Sequence, residues 1–299
     1  MKLIVQPDAG IAPVVNAIKQ AAKTIDVLIF RLDRLEIARA LQAALARGVH
    51  VRALTAHANR GGTKNLRKLE MQLLEAGVTV SRTADDLVRY HGKIMIVDSK
   101  ILHVYGFNFT GLDMEKSRSF GVVTRNKKLV NEAIKLFEAD FDRHPYKAAD
   151  ERLIVSPVNA RERLTAFIKG ARRQLLIYDP QLTDDAMLRL LTRKIAAGVA
   201  VRIIGKVESK WDLDCQPFPG RRLHARAIIR DGRRAFLGSQ SLRRLELEKR
   251  REVGVIVTDR GVIRAMADVF ESDWARTRSG RKELKKSEKK DEKQLVAVS

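Results

Sequence analysis

The chain has 299 residues, 45% of them hydrophobic and 31% charged, enough for one large packed domain or two ordinary ones. A single cysteine, Cys215, excludes an internal disulfide framework and a cysteine-rich zinc site; no apolar run reaches the ~18–20 residues of a membrane span, and the opening residues lack a signal-peptide pattern, so a reducing cytoplasm is the expected location. Lys and Arg number 58 against 36 Asp and Glu, and the net charge of +22 favours a polyanionic partner: nucleic acid, an anionic membrane surface or a phosphate-bearing substrate.

In chain order, the pattern predicts a strand at Leu3-Ile4-Val5, a helix over Val14 to Ala22, a strand over Ile25 to Phe30 and a helix over Leu35 to Arg47. Gly48 suits the left-handed residue that closes a helix, and Val49 to Arg52 follows as a short strand. Next comes a segment containing Arg60-Gly61-Gly62-Thr63-Lys64, read as a connector with a phosphate contact as the alternative. Thr63 is the expected N-cap of a helix over Leu66 to Leu74. A strand at His91 to Val97, a turn at Asp98-Ser99-Lys100, a returning strand and a helix over Val130 to Phe141 complete this half.

The order then repeats. Leu153-Ile154-Val155 answers Leu3-Ile4-Val5, and Gly198-Val199-Ala200-Val201-Arg202 answers Gly48-Val49-His50-Val51-Arg52, both at an offset of 150. Between them lie a predicted helix over Arg161 to Gly170, a strand over Gln174 to Tyr178 and a helix over Asp185 to Ala197. Residues 53–90 correspond to only 203–223, so the first half carries an insert. The expected organisation is an α/β half over residues 1–147, a second over 148–275, and a basic, disordered tail over 276–299, where nine Lys/Arg and four Asp/Glu fall between Arg276 and Lys293.

The repeat extends to polar residues. His91-Gly92-Lys93 ending at Asp98 is answered by His224-Ala225-Arg226 ending at Asp231. Strand alternation puts His91 and Lys93 on one face and Asp98 on the other, so Asp98 and Asp231 are read as structural acids of the turns. With Ser99 and Lys100 as the tip, Asn108 falls opposite His91 and Gly106 opposite Lys93. In the second half the same geometry gathers His224, Arg226 and either Ser239 or Ser241. Such clusters are rich in donors for phosphate oxygens. Arg221, Arg222 and Arg226 flank His224, where they raise the local potential and lower the imidazole pKa.

His-x-Lys-x4-Asp, present twice in two similar α/β halves, resembles the phospholipase D superfamily over nearly the whole chain to about residue 275. The resemblance implies two homologous halves packed as a pseudo-two-fold sandwich, with the active site at their interface. It implies that one of His91 and His224 attacks a phosphodiester to form a phosphohistidine. The other then protonates the leaving alkoxide and activates water or an acceptor alcohol. Lys93, Arg226, Asn108, Ser239 and Ser241 would hold phosphate oxygens, with no metal and no other cofactor.

The departures from the family pattern are specific. Tyr105-Gly106-Phe107-Asn108 and Gly238-Ser239-Gln240-Ser241 stand where the family often has Gly-Ser-x-Asn, and the second Lys is Arg226. The carboxylate that the family carries 28 residues after its His is Glu252 in the second half but Ser119 in the first, where Asp113 or Glu115 would have to substitute. This spacing assigns Glu252 to His224 and makes His224 the nucleophile and His91 the general acid, the reverse of the family's usual order.

The leading function is a phosphodiesterase or phosphatidyltransferase acting on phospholipid, in peripheral contact with an anionic membrane. A metal-independent nuclease and a catalytically weakened polyanion-binding module are the alternatives. An aromatic content of 5% argues against extensive base stacking. The oligomeric state is left open.

Overall fold

The structure is a computed structural model that describes residues 1–58, 62–208 and 210–298, with no side-chain description beyond residue 288. Arg60 and Gly61 of the basic loop lie outside the described residues. The first half runs β1 (Lys2–Gln6), α1 (Ala12–Gln20), β2 (Thr24–Ile29), α2 (Leu35–Ala46), β3 (His50–Thr55), α3 (Lys64–Glu75), β4 (Thr79–Arg82), β5 (Arg89–Tyr90), β6 (Ile94–Val97), β7 (Ile101–Tyr105), α4 (Gly111–Glu115), β8 (Ser117–Thr124) and α5 (Lys127–Phe141). The second runs β9 (Leu153–Val155), α6 (Ala160–Lys169), β10 (Gln174–Leu182), α7 (Asp185–Ala196), β11 (Ala200–Val207), β12 (Cys215–Gln216), β13 (Arg222–Leu223), β14 (Ala227–Arg230), β15 (Arg234–Gly238), α8 (Arg244–Glu248), β16 (Arg250–Arg251), β17 (Val253–Val257) and α9 (Arg260–Ala275), followed by α10 (Arg278–Val298).

Local chemistry sets these elements. In α2, Ile37, Ala40, Leu41 and Ala44 fall on one buried face, and Gly48 beyond its end takes φ +82°. Helix α7 repeats this with Met187, Leu188, Leu190 and Leu191 buried and Gly198 at φ +81°. Asn126 and Asp259 cap α5 and α9 by accepting from the third residue onward, Leu129 N and Val262 N. Thr63 precedes α3 but makes no side-chain capping bond.

Each half builds one mixed sheet, ordered β1-β8-β7-β6-β2-β3-β4 and β12-β11-β10-β14-β15-β17-β9. The outer face of the first sheet packs on α1 and α2 through Ile18, Ile37, Leu41 and Met95. The outer face of the second packs on α6 and α7 through Leu164, Leu191 and Ile203. The inner faces share one core that joins Ile96, Val104 and Phe120 to Ala227, Leu237 and Val255, with α5 and α9 closing it. The architecture is an α/β pseudo-two-fold sandwich of two similar halves. Among the described residues no helix is long and apolar enough to cross a membrane.

Two short parallel ladders cross between the halves, β13 on β8 and β16 on β5. They are related by the same 133-residue step that separates His91 from His224. Two buried ion pairs follow the same symmetry. Arg118 of β8 reaches Asp273 of α9 at 2.8 Å, and Arg251 of β16 reaches Asp140 of α5 at 3.0 Å. Tyr178 Oη also donates to Asp273 at 2.7 Å.

Two sequence expectations are corrected here. The hairpin register is one residue away from that read with a Ser99-Lys100 tip: Ile94 pairs with Val104 and Val97 with Ile101. The turn holds three residues because Asp98 and Ser99 both take positive φ, 53° and 51°, so Tyr105 rather than Gly106 stands against Lys93, whose carbonyl accepts from Tyr105 N at 2.9 Å. The segment after Arg276 is helical rather than disordered. Its Lys and Glu residues favour a helix, and its N-terminal end is tied down, since Glu283 accepts from Trp274 Nε1 at 3.1 Å, while residues 281–288 are all exposed.

Because both members of the Arg118–Asp273 pair are buried, Asp273→Ala is expected to destabilise the protein by ~3–5 kcal/mol: Arg118 keeps Gln6 O and the exposed Asp8 but loses its buried carboxylate, and Tyr178 Oη keeps only Val269 O at 3.3 Å. The double replacement Arg118→Met/Asp273→Leu should recover most of that loss. Urea unfolding checks both; a loss under about 1 kcal/mol for Asp273→Ala would contradict this account of the interface.

Candidate active site

The strand β6 starts only at Ile94, so the main chain of His91 and Gly92 is outside the sheet ladder and can bond elsewhere. They bond across the interface. The N–H groups of His91 and Gly92 donate to Arg251 O at 2.7 and 2.9 Å. In the mirrored place, His224 N donates to Arg118 O at 3.0 Å. Each histidine is thus fixed by the backbone of the other half, next to a residue whose guanidinium holds a buried carboxylate.

The imidazoles are also served across the interface. His91 Nδ1 lies 2.9 and 3.1 Å from the two oxygens of Glu252, which is fully buried. His224 Nδ1 lies 3.4 Å from Asp113 Oδ2. This overturns the assignment of Glu252 to His224. Residues 28 apart in one half stand on opposite sides of the interface ladder, so Glu252 reaches the histidine of the other half. Its counterpart Ser119, buried and with no partner for its Oγ among the described residues, supplies no carboxylate. Asp113 takes the second role, while Glu115 is on the surface with Arg34.

The two carboxylates are not equivalent. Glu252 faces His91 with both oxygens, with Arg250 farther off at 3.8 Å. Asp113 is shared: it accepts from Asn108 N at 2.8 Å, from Asn108 Nδ2 at 2.7 Å and from Arg222. Burial pushes the Asp113 carboxyl up, but His224, the Asn108 donors and Arg222 together bring it down to about 2. Burial raises Glu252, opposed by Lys93, Ser239 and Arg226.

The cations complete the cluster. Lys93, almost fully buried, donates to His91 O at 2.6 Å and stands 3.1 Å from His91 Nε2. Arg226 copies it, donating from one guanidinium nitrogen to His224 O at 3.0 Å and from Nε to Ser241 Oγ at 3.1 Å. Burial takes Lys93 down to about 7 against the pull of Glu252. Burial first, then Lys93 and Arg226, holds His91 well below the usual imidazole range; burial and Arg226 do the same to His224, and Lys93 adds to it. Each imidazole feels the cation of the opposite half, as expected of a single shared site.

His91, Lys93, His224, Arg226, Glu252, Asn108 and Ser241 are therefore brought together. Asn108 and Ser241 occupy matched places: Asn108 N donates to Asp113, and Ser241 N donates to Glu246 at 2.7 Å. Ser239 is fully buried; its Oγ accepts from Val253 N at 3.1 Å and lies 3.2 Å from Val253 O, and its hydroxyl is also a neighbour of Glu252. Asp98 and Asp231 are remote from the histidines. Asp98 accepts from the N–H groups of Ala22, Lys23 and Thr24, and Asp231 from those of Arg172, Arg173 and Gln174. Asp113 was foreseen only as a substitute, and Glu246 was not foreseen; aligning the halves on the two histidines puts these acids opposite each other. Among the described residues no group of three or more His, Cys, Asp or Glu side chains is placed to hold a metal ion.

Lys93 is the group that titrates near neutrality, and its charged form attracts anions. Sulfate, which keeps its charge across this range, should bind most tightly below about pH 7 and more weakly as pH rises above it, with the midpoint shifted upward in the complex because the anion favours the ammonium. Calorimetric titrations between pH 6 and pH 9 test this; Lys93→Met should abolish the trend, and a flat profile in the unaltered protein would contradict it.

Known proteins resemble the chain in sequence and fold. A family profile described as "Cardiolipin synthase, PLD-like domain" matches residues 14–141, from α1 through α5. Polyphosphate kinase from Porphyromonas gingivalis superposes with a TM-score of 0.74 and 20% identity over 90% of this chain and 49% of that one, so the chain spans about half the length of that enzyme. Phosphatidylserine synthase from Haemophilus influenzae superposes with a TM-score of 0.67 and 11% identity, over 99% of this chain and 94% of that one. Nuc from Salmonella typhimurium, a phospholipase D family member, covers 50% of this chain and 97% of its own at 22% identity, with a TM-score of 0.43. A search of curated proteins gives no match.

Proposed function

We propose that this chain, which carries a phospholipase D-like domain in its first half and the phospholipase D fold throughout, transfers or hydrolyses the phosphodiester of a phospholipid through a phosphohistidine. The observation that carries the reading is the crossed pairing of two imidazoles with two buried carboxylates beside Lys93 and Arg226. Each carboxylate faces Nδ1, so Nε2 is the ring atom turned to the chemistry on both histidines, with Lys93 Nζ 3.1 Å from that of His91, where it can receive the phosphate oxygens.

The geometry favours His91 as nucleophile, in place of His224. Held neutral, it keeps its Nδ1 proton on Glu252 and presents Nε2 as a lone pair. Nε2 attacks phosphorus, the bond from phosphorus to the leaving oxygen breaks, and the imidazolium charge that develops on His91 rests against Glu252. His224 gives its Nε2 proton to the departing alkoxide. It then takes a proton from water or an alcohol, whose oxygen attacks phosphorus and breaks the P–N bond. Lys93 and Arg226 receive the charge on the non-bridging oxygens. A bound phosphodiester anion supplies the negative charge that lets His224 carry its proton despite burial.

Phospholipid is preferred as substrate because the profile matching the first half and the neighbour superposing on 99% of the chain both carry names from phospholipid synthesis. The basic surface suits peripheral contact with an anionic membrane. The same +22 charge favours a second reading as a nuclease with the same site.

The test is incubation with phosphatidylglycerol, cardiolipin and phosphatidylethanolamine vesicles, with and without an alcohol acceptor, and with single- and double-stranded DNA and RNA, all in EDTA. Headgroup release or exchange is expected. Cleavage of nucleic acid alone would transfer the assignment to the second reading, and no turnover of any substrate would reject both. His91→Ala and His224→Ala should each lower turnover by ~10²–10⁴. Glu252→Gln should suppress the covalent intermediate, and quenching with denaturant at neutral pH followed by peptide mass spectrometry should find the phosphatidyl group on His91; the same group on His224 would reverse the roles.

A further inference from the structure

A groove of about 610 Å³ lies between α1 and the outer face of the first sheet, next to the Asp98 turn. The six residue steps from His91 to Val97, at ~3.3 Å each, put it about 20 Å from the candidate active site. Ala17 of α1, Val97 and His103 line it, with Lys2, Lys100 and Arg125 around it. Asp98, the one acid among its lining residues, is occupied by three backbone N–H groups.

The second half shows what this space holds when the protein fills it. Asp98 bonds residues 22–24 and Asp231 bonds residues 172–174, which aligns α1 with α6 and Ala17 with Phe167. The hairpins align His103 with Phe236 and Val97 with Arg230. Phe167 and Phe236 are buried in one apolar cluster, and the Arg230 guanidinium lies 4.9 Å from the Phe167 ring. In the first half a methyl group, an imidazole and an isopropyl group replace two benzyl groups and a guanidinium. These smaller side chains leave open, at the floor of the groove, space that the second half fills.

His103 marks this space as more than a packing fault. It is 4% exposed, yet among the described residues its Nδ1 has no partner. Burial, aided by Arg125, lowers it to about 4, so it is a neutral imidazole at pH 7. An apolar filling would be served better by Phe, as in the second half, than by a ring whose buried polar atom has lost its water without gaining a hydrogen bond.

We propose that this groove binds a small anionic aromatic molecule, whose ring takes the place that Phe167 fills in the second half and whose acidic group meets Lys2, Lys100 and Arg125. The volume lies within the range of small-molecule sites. The inference stands apart from the catalytic reading, because none of these residues belongs to the catalytic cluster.

The probe is anilinonaphthalene sulfonate, titrated by fluorescence into the full chain. Saturable binding with Kd below ~1 mM is expected. Ala17→Phe and His103→Phe, which copy the second half, should each weaken it at least ~10-fold, and Arg125→Glu, on the exposed rim, should weaken it by a similar factor. Circular dichroism melting shows which variants are folded; if a filling variant fails to fold, Arg125→Glu decides. Unchanged affinity in any folded variant, or no saturable binding by the unaltered chain, overturns the proposal.

Discussion

The exchange of main-chain bonds between the halves is the constraint on which the rest of the molecule depends. Arg251 O receives His91 and Gly92, and Arg118 O receives His224. The guanidinium groups of the same two arginines are anchored on Asp140 and Asp273, carboxylates of the opposite half's terminal helix. A buried charge is tolerated only with its partner in place, so each half stabilises the ionised groups of the other. The candidate site forms on that scaffold: Glu252 directly follows Arg251, and Ser119 directly follows Arg118. The docking that neutralises the arginines also delivers Glu252 to His91.

Burial does the electrostatic tuning at the site. It is the largest influence on His91, His224, Lys93 and Glu252 alike, and in each case it disfavours the charged form. Opposite charges sit close enough to hold this in check without cancelling it. The result is a cluster in which the imidazoles are neutral while the cations remain available to an incoming anion. A more exposed site would have ordinary imidazoles and a fully charged lysine, with weaker interactions throughout.

Much of the fold was legible because the chain states it twice. Helices α2 and α7, the strands before them and the closing glycines Gly48 and Gly198 follow from apolar periodicity and one offset. The two histidine segments were legible for the same reason. The hairpin register was not, because it depends on Asp98 and Ser99 both entering the left-handed region, which composition does not announce for a serine. The partner of Glu252 was hidden for a different reason. A fixed spacing within one half says nothing about which histidine lies across a contact between halves. The tail was misread because solvation of charged residues was weighed without their helix propensity or the anchor from Trp274 to Glu283.

The pairing of the halves is symmetric in backbone and unequal in side chains. Lys93 faces Arg226, Asn108 faces Ser241, Asp113 faces Glu246, Ser119 faces Glu252 and Ala17 faces Phe167 across the same pseudo-axis. Two separate copies of one half, assembled around such an axis, would necessarily repeat every choice on both sides. Joining the halves in one polypeptide removes that obligation. Each position becomes two independently mutable sites, so a single scaffold can hold a dedicated carboxylate beside one imidazole and a shared one beside the other, and can keep one outer face packed while leaving its twin hollow. Covalent fusion thus gives the molecule a direction, a defined first and second partner, that rotational symmetry alone would forbid.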